Sequence, residues 1–353
     1  MAARPAALWA AARQCAPRRP LAASALTHAT AASPIRSPRP LSTSHPNDAT
    51  PTSGNTDNNT SDPFAARRTK ATHFGFETVT EWEKTERVAG VFHSVADSYD
   101  KMNDLMSFGW HRVWKDHFVR GLSPGLSPDP LNPSPMRVLD VAGGTGDIAF
   151  RMLHHAHVVN SNPNVRVTIS DINPSMLAVG RSRAESQLPP GQLAALSFLE
   201  ADATDFLDEP SPSHPNPARP RHNVPAPGSL DLYTVAFGIR NFTDIPGALR
   251  EAYRALRPGG VFACLEFSKA DANPLFNAVY KRWSFGAIPL IGQLVAGDRD
   301  SYQYLVESIE RFPSQRDFRD MIAAAGFDVP GKGWEDLTGG VAAIHKGVKP
   351  LDG

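Results

Sequence analysis

Apolar positions along this chain fall into two alternating patterns. Five short runs read as strands: "MRVLDVAG" (136–143), "VRVTISD" (165–171), "LSFLEAD" (196–202), "LDLYTVAF" (230–237) and "GVFACLEF" (260–267). Helical patterns separate them. Apolar runs joined by helices predict a parallel sheet covered on both faces. Two weaker runs, "FDVPGKGWEDL" (327–337) and "GVAAIHKG" (340–347), lie close together around "GG" and predict a closing hairpin that makes one strand antiparallel. The helix between strands four and five is well marked. Asp244 suits its N-cap, Pro246 its first turn, and "RPGG" stops it at Pro258.

Two segments break the alternation. Residues 123–135, "SPGLSPDPLNPSP", and 208–229, "DEPSPSHPNPARPRHNVPAPGS", are dense in Pro and Ser. Prolines cannot donate to a ladder, so both runs read as surface insertions. The N-terminus differs again. Met1 to Pro46 contains no Asp or Glu, while Arg4, Arg13, Arg18, Arg19, Arg36 and Arg39 are spread among Ala, Ser, Thr and Pro. That composition marks residues 1–45 as a mitochondrial transit peptide. Residues 46–72 are polar and read as a disordered linker, which leaves 73–349 as one folded domain.

Composition narrows the function classes. Lys plus Arg and Asp plus Glu number 36 each, and no basic cluster is sustained, so phosphate-backbone binding has no support. Cys15 and Cys264 lie far apart, with neither disulfide nor metal spacing, and no metal site is expected. That usage fits a reducing compartment. No apolar run is long enough to span a bilayer.

The chemistry begins at "LDVAGGTGDIA", which follows strand one and opens a helix. Glycines let a backbone approach a ligand, and the helix start offers unpaired N–H groups. Gly144, Gly146 and Ala149 also fit the dinucleotide pattern G-x-G-x-x-A, so the loop alone leaves an NAD-linked dehydrogenase open. Three carboxylates favour S-adenosylmethionine. Asp140 ends strand one, where it would face an ammonium but repel a pyrophosphate. Asp171 ends strand two and could take both ribose hydroxyls, as in either cofactor. Asp202 ends strand three, where it and the Ala203 N–H could pair an adenine edge. With the closing hairpin, this predicts the class I, Rossmann-like methyltransferase architecture.

"YDKMNDLMSFGWHRVW" (99–114) and "RALRPGGVFACLEFSK" (254–269) resemble the two signature stretches of the ubiquinone/menaquinone biosynthesis C-methyltransferase family. "TVAFGIRNFTD" and "GDRDSYQYLVESIERFP" resemble further blocks, and the resemblance runs from about Phe92 to the C-terminus. It implies C-methylation of a polyprenyl benzoquinol with S-adenosylmethionine, and cofactor contacts from Thr145, Asp171, Asp202 and Ala203. With the leader, it implies a peripheral place on the matrix side of the mitochondrial inner membrane. Partnership with other ubiquinone-biosynthesis proteins in a complex, and a homodimer, are further expectations. A lipid such as a menaquinone precursor is the rival substrate. A non-catalytic scaffold is the rival role, though it would not need the glycine loop.

Carbon is a poor nucleophile, so ring methylation needs an electron-rich quinol and a group that stabilises phenolate-like charge. The resemblance assigns this role to Arg240, which follows strand four. A guanidinium stays protonated, so it is expected to act as an electrostatic stabiliser or to polarise a water, with Asn241 orienting it. Tyr99 and His111 are candidates for a proton relay. Tyr99, Met102, Met106 and Trp110 fall near helical spacing and are expected to cover the sheet and roof the site. Residues 273–298, where Leu275, Phe276, Val279, Tyr280 and Trp283 share a helical face, read as a lid for the polyprenyl tail that rests on a membrane.

Overall fold

The computed structural model describes residues 70–95, 103–104, 107, 109–127, 129, 131–204, 206, 224–270, 277–278, 282–283, 285–286, 289, 293 and 299–351. The leader, residues 46–69 of the expected linker, Tyr99, Met102, Met106, most of the second Pro-rich run and most of 273–298 lie outside them; residues 71 and 72, expected in the linker, belong to a strand.

A hairpin that the hydrophobic pattern did not announce comes first, β1 (Ala71–Phe74) against β2 (Glu77–Thr80). It runs straight into α1 (Glu81–Val95). The local cause is a reciprocal cap. Thr80 N–H donates to Glu83 at 2.9 Å while Glu83 N–H donates to Thr80 Oγ1 at 3.2 Å, so the spacing T-x-x-E closes two otherwise open donors. α2 (Trp110–Leu122) follows and buries His111, Trp114, Lys115, Phe118 and Val119. Of the expected covering stripe only Trp110 lies among the described residues. Trp110 is half exposed, and the inward face is set by Trp114 and Phe118 instead.

The domain then alternates: β3 (Met136–Val141), α3 (Asp147–His154), β4 (Val165–Asp171), α4 (Pro174–Gln187), β5 (Leu196–Glu200), β6 (Leu230–Ala236), α5 (Ile245–Ala255) and β7 (Leu256–Phe267). α6 (Arg299–Arg311), α7 (Gln315–Ala324), β8 (Trp334–Leu337) and β9 (Ala342–Val348) complete it. The seven-stranded sheet has the order β5-β4-β3-β6-β7-β9-β8. Its first five strands pair in parallel, and β9 inserts antiparallel between β7 and β8. The expected sheet and closing hairpin are both present.

Period-two strands divide the core by face. Val138, Val167, Leu232 and Ala263 join Phe118, Met152 and Leu305 on one side. Leu139, Tyr233, Val235 and Cys264 join Leu249, Phe318 and Ile322 on the other. Asp244 caps α5 through the Gly247 N–H at 3.0 Å, as expected. The helix ends at Ala255, before Pro258, and β7 begins at Leu256 with a register shift that absorbs "RPGG". The first Pro-rich run is tied down by the asparagines before β4. Asn160 donates to Pro124 O, Asn162 to Gly125 O and Ser134 O, and Asn164 to Pro133 O, at 2.8–3.0 Å. Carbonyls that proline-rich backbone cannot satisfy within a ladder find side-chain amides instead.

Candidate active site

The sheet order reverses at β3, whose two neighbours are β4 and β6, and a cleft opens at the carboxyl ends of these strands. Asp202 stands beyond β5, Asp171 at the end of β4, and Asp140 near the end of β3, all on the cleft wall. Adjacent strands lie about 4.8 Å apart, so the three carboxylates are spaced along roughly 10 Å. An extended nucleoside with a charged tail has that reach.

Two loops shape the floor. Ala142 (φ 52°) and Phe237 (φ 57°) adopt the left-handed region just past β3 and β6. Such backbone costs on the order of 1–3 kcal/mol in a non-glycine residue and gathers at functional sites. The loops touch: a Cβ on Gly238 would sit 2.5 Å from Ala142 Cβ, so only glycine allows the approach. Gly143 is equally confined, since a Cβ there would lie 2.8 Å from Asp140 Oδ2.

Each carboxylate is held differently. Asp140 Oδ1 accepts from Thr234 Oγ1 at 2.8 Å, while Oδ2 is buried with no hydrogen-bond partner. Burial pushes its pKa up to about 7, opposed by Thr234 and helped by the charges of Asp147 and Asp171. Asp171 accepts from the Asn173 N–H at 2.9 Å, and burial raises it to about 6. Asp202 Oδ1 takes the Thr204 N–H and hydroxyl at 2.9 and 2.8 Å. Gly144, Thr145 and Ala203 line the cleft. Gly146 is not among the residues lining it. With φ 85°, it turns the chain into α3 against the Phe150 ring.

The structure reorders the residues expected on the acceptor side. Asn241 lines the cleft, and its Oδ1 accepts from Tyr304 O–H at 3.0 Å. Arg240 lies behind it and is not among the residues lining the cleft. Its Nη1 donates to Glu266 Oε1 at 2.8 Å and Phe237 O at 2.7 Å, and its Nε to Ser308 Oγ at 3.2 Å. A guanidinium beside a buried carboxylate is drawn inward, because charge pairing and desolvation are then met together. Arg240 thus supports the turn carrying Asn241, the reverse of the expected division. His111 is also off the lining. Its Nε2 lies 2.8 Å from Asp104 Oδ1, and Asp104 also pairs with Arg112, whose bonds hold that carboxyl down at about 2.

Sequence reading missed four residues. Thr85 and Val88 of α1 line the cleft, so α1 forms part of its cover; the Thr80–Glu83 capping pattern was the available signal. Lys84 anchors that helix by donating to Phe242 O at 2.7 Å, and burial lowers its pKa to about 8. Lys115, the residue after "YDKMNDLMSFGWHRVW", lines the cleft and pairs with Asp147 at 2.7 Å.

The profile of the ubiE/COQ5 methyltransferase family matches residues 80–213 and 221–349, more than half of the chain. The chain belongs to that family. The gap between the matched segments falls inside the second Pro-rich run. This family member is 50% identical over 279 residues to the mitochondrial 2-methoxy-6-polyprenyl-1,4-benzoquinol methylase of Schizosaccharomyces pombe, covering 79% of this chain and 84% of that one. It is 50% identical over 276 residues to the ubiquinone/menaquinone biosynthesis C-methyltransferase UbiE of Brucella abortus (strain S19), covering 78% and 90%. Among solved structures, a SAM-dependent methyltransferase from Aquifex aeolicus aligns at 15% identity with a TM-score of 0.43, over 72% of this chain and 97% of that one.

Methyltransferases of this family imply S-adenosylmethionine, and the residues present fit it. The buried, unpartnered Asp140 Oδ2 calls for a donor, which an ammonium supplies. Gly143 and Gly144 leave the loop open to close approach, and the one cation among the described lining residues, Lys115, is paired with Asp147.

Proposed function

We propose that this methyltransferase transfers a methyl group to a ring carbon of 2-methoxy-6-polyprenyl-1,4-benzoquinol in ubiquinone synthesis. The observation that carries this reading is the succession of Asp202, Asp171 and Asp140 along adjacent strand ends, with Asn241 at the next strand, β6. The 50% identity to a relative named for that reaction supports it. S-Adenosylmethionine, when bound, supplies an electrophilic methyl on a sulfonium. Asp202 and the Ala203 N–H would meet the adenine edge, Asp171 would accept from the ribose hydroxyls, Thr145 and Gly144 would border the ligand, and Asp140 would accept from the ammonium.

On the acceptor side, Tyr304 occupies Asn241 Oδ1, which leaves the Nδ2 donors for a quinol oxygen. A fixed donor there stabilises phenolate-like charge as the ring carbon attacks. Arg240 acts through Asn241, and its buried cation raises the field at the same turn. Tyr99 and His111 stay the candidates for accepting the quinol proton, His111 only after its Asp104 contact loosens. Residues 273–298 take the polyprenyl tail.

The same reading places the protein on the matrix side of the mitochondrial inner membrane as a peripheral protein, in a complex with other ubiquinone-biosynthesis proteins. The acid-free, Arg-rich residues 1–45 and the mitochondrial S. pombe relative support the compartment. No helix among the described residues is long and apolar enough to cross a membrane.

The test is single-turnover methylation of a short-tailed benzoquinol under reducing conditions, with product mass read directly. Methylation of the quinol and none of the quinone is expected. A faster reaction with a naphthoquinol would replace the benzoquinol assignment with a menaquinone precursor.

A further inference from the structure

The cleft is unevenly charged. Its described lining residues include four carboxylates, Asp140, Asp147, Asp171 and Asp202, and one cation, Lys115. A donor carrying a sulfonium, an ammonium and a carboxylate has two charges that suit such a wall and one that does not. The carboxylate needs a cation at the amino-acid end.

Lys115 stands at that end. With adenine at Asp202 beyond β5 and ribose at Asp171 on β4, the amino-acid portion falls at β3 and β6. Lys115 Nζ lies there, 2.7 Å from Asp147 at the start of α3 and 5.9 Å from the Phe237 ring centroid just past β6. The lysine is only 3% exposed. Asp147 does not depend on it alone, because Arg151 Nε also donates to Asp147 at 3.1 Å. The two cations together hold the Asp147 carboxyl down at about 2, against its burial. An ammonium carries three N–H donors, and Asp147 Oδ2 accepts one of them. Lys115 can therefore serve a second acceptor without breaking its first pair.

From this placement we infer that Lys115 binds the carboxylate of the methionine moiety of S-adenosylmethionine, forming with Asp140 a two-charge clamp for the zwitterionic end. The inference rests on the cofactor reading above and assigns one residue within it. It also explains why a lysine, costly to bury, sits in the wall beside a carboxylate that has another partner.

The experiment compares S-adenosylmethionine with its decarboxylated analogue, by calorimetry, on wild type, Lys115→Met and Lys115→Arg. A charge-assisted hydrogen bond corresponds to roughly ten- to a hundredfold in affinity, so wild type should prefer the carboxylated ligand by about that factor. Lys115→Met should lose the preference by weakening only the carboxylated ligand, and Lys115→Arg should restore part of it. Equal weakening of both ligands, or a preserved preference, overturns the assignment. So does equal binding of the two ligands by wild type, which needs no variant at all. Should Lys115→Met not fold, a crystal structure of wild type with S-adenosylhomocysteine decides: Nζ within hydrogen-bonding reach of the carboxylate supports the clamp, and Nζ beyond it does not. Failure of wild type to bind any of these ligands would instead reject the cofactor reading itself.

Discussion

Arg240 Nη1 lies 2.8 Å from Glu266 Oε1, with both side chains shut off from water. Glu266 also accepts the Phe267 N–H at 2.9 Å, and burial still pushes its carboxyl above the ordinary range. The pair joins the end of β7 to the turn after β6, one residue from Asn241 on the cleft wall.

Removing one partner of such a pair leaves the other buried and uncompensated, at a cost of about 3–5 kcal/mol. Arg240→Ala should therefore lower the melting temperature markedly, whereas Arg240→Met combined with Glu266→Leu should recover much of it. Turnover should fall in both variants, because Asn241 loses its support. Melting curves with single-turnover rates check this; a stable, fully active Arg240→Ala protein would remove the pair from stability and chemistry alike.

Tyr304 tests the support of Asn241 from the other side. Its ring stacks on Phe74 of the N-terminal hairpin at 4.1 Å, and its hydroxyl holds Asn241 Oδ1. Tyr304→Phe keeps the ring and deletes the bond, which is worth about 0.5–1.5 kcal/mol. The expected result is a two- to roughly tenfold loss in kcat, with cofactor affinity unchanged. A change in cofactor affinity without one in kcat would place Asn241 on the wrong ligand.

Asp140 and Asp171 set a pH dependence. Their pKa values, about 7 and about 6, are raised from 3.8 by burial. Groups raised on folding stabilise the ligand-free protein fully below the unfolded value, and that contribution is lost as pH rises through the folded values. A cation placed on Asp140 favours its charged form, so binding should release a proton below about pH 7, and affinity for S-adenosylhomocysteine should rise as pH rises toward 7 and level off above it. Calorimetry in buffers of different ionisation enthalpy measures the protons, and Asp140→Asn should reduce them. Affinity that stays flat from below 6 to above 7 would contradict the assignment of Asp140.

The leader makes a separate prediction. Residues 1–45 fused to a fluorescent reporter should carry it to mitochondria, since the segment is Arg-rich and free of acid. A diffuse cytosolic signal would withdraw the compartment.

Sequence by itself determined the sheet, its closing hairpin and the strand-end carboxylates, because each of these is a local pattern. Apolar periodicity fixes which residues are strands, and a carboxylate at the end of a parallel strand must stand at the carboxyl edge whatever the rest does. The Thr80–Glu83 cap was legible in the same way, through spacing alone. What the tertiary structure decided was which of two neighbours in "IRN" lines the cleft. Arg240 turns inward because Glu266, distant in sequence, is delivered beside it by β7, and Asn241 turns outward because Tyr304 arrives from α6. Lys115 was hidden for the same reason. A lysine on a helix reads as surface until packing sets it between Asp147 and Phe237, and no periodicity encodes a meeting of three elements brought together by the fold.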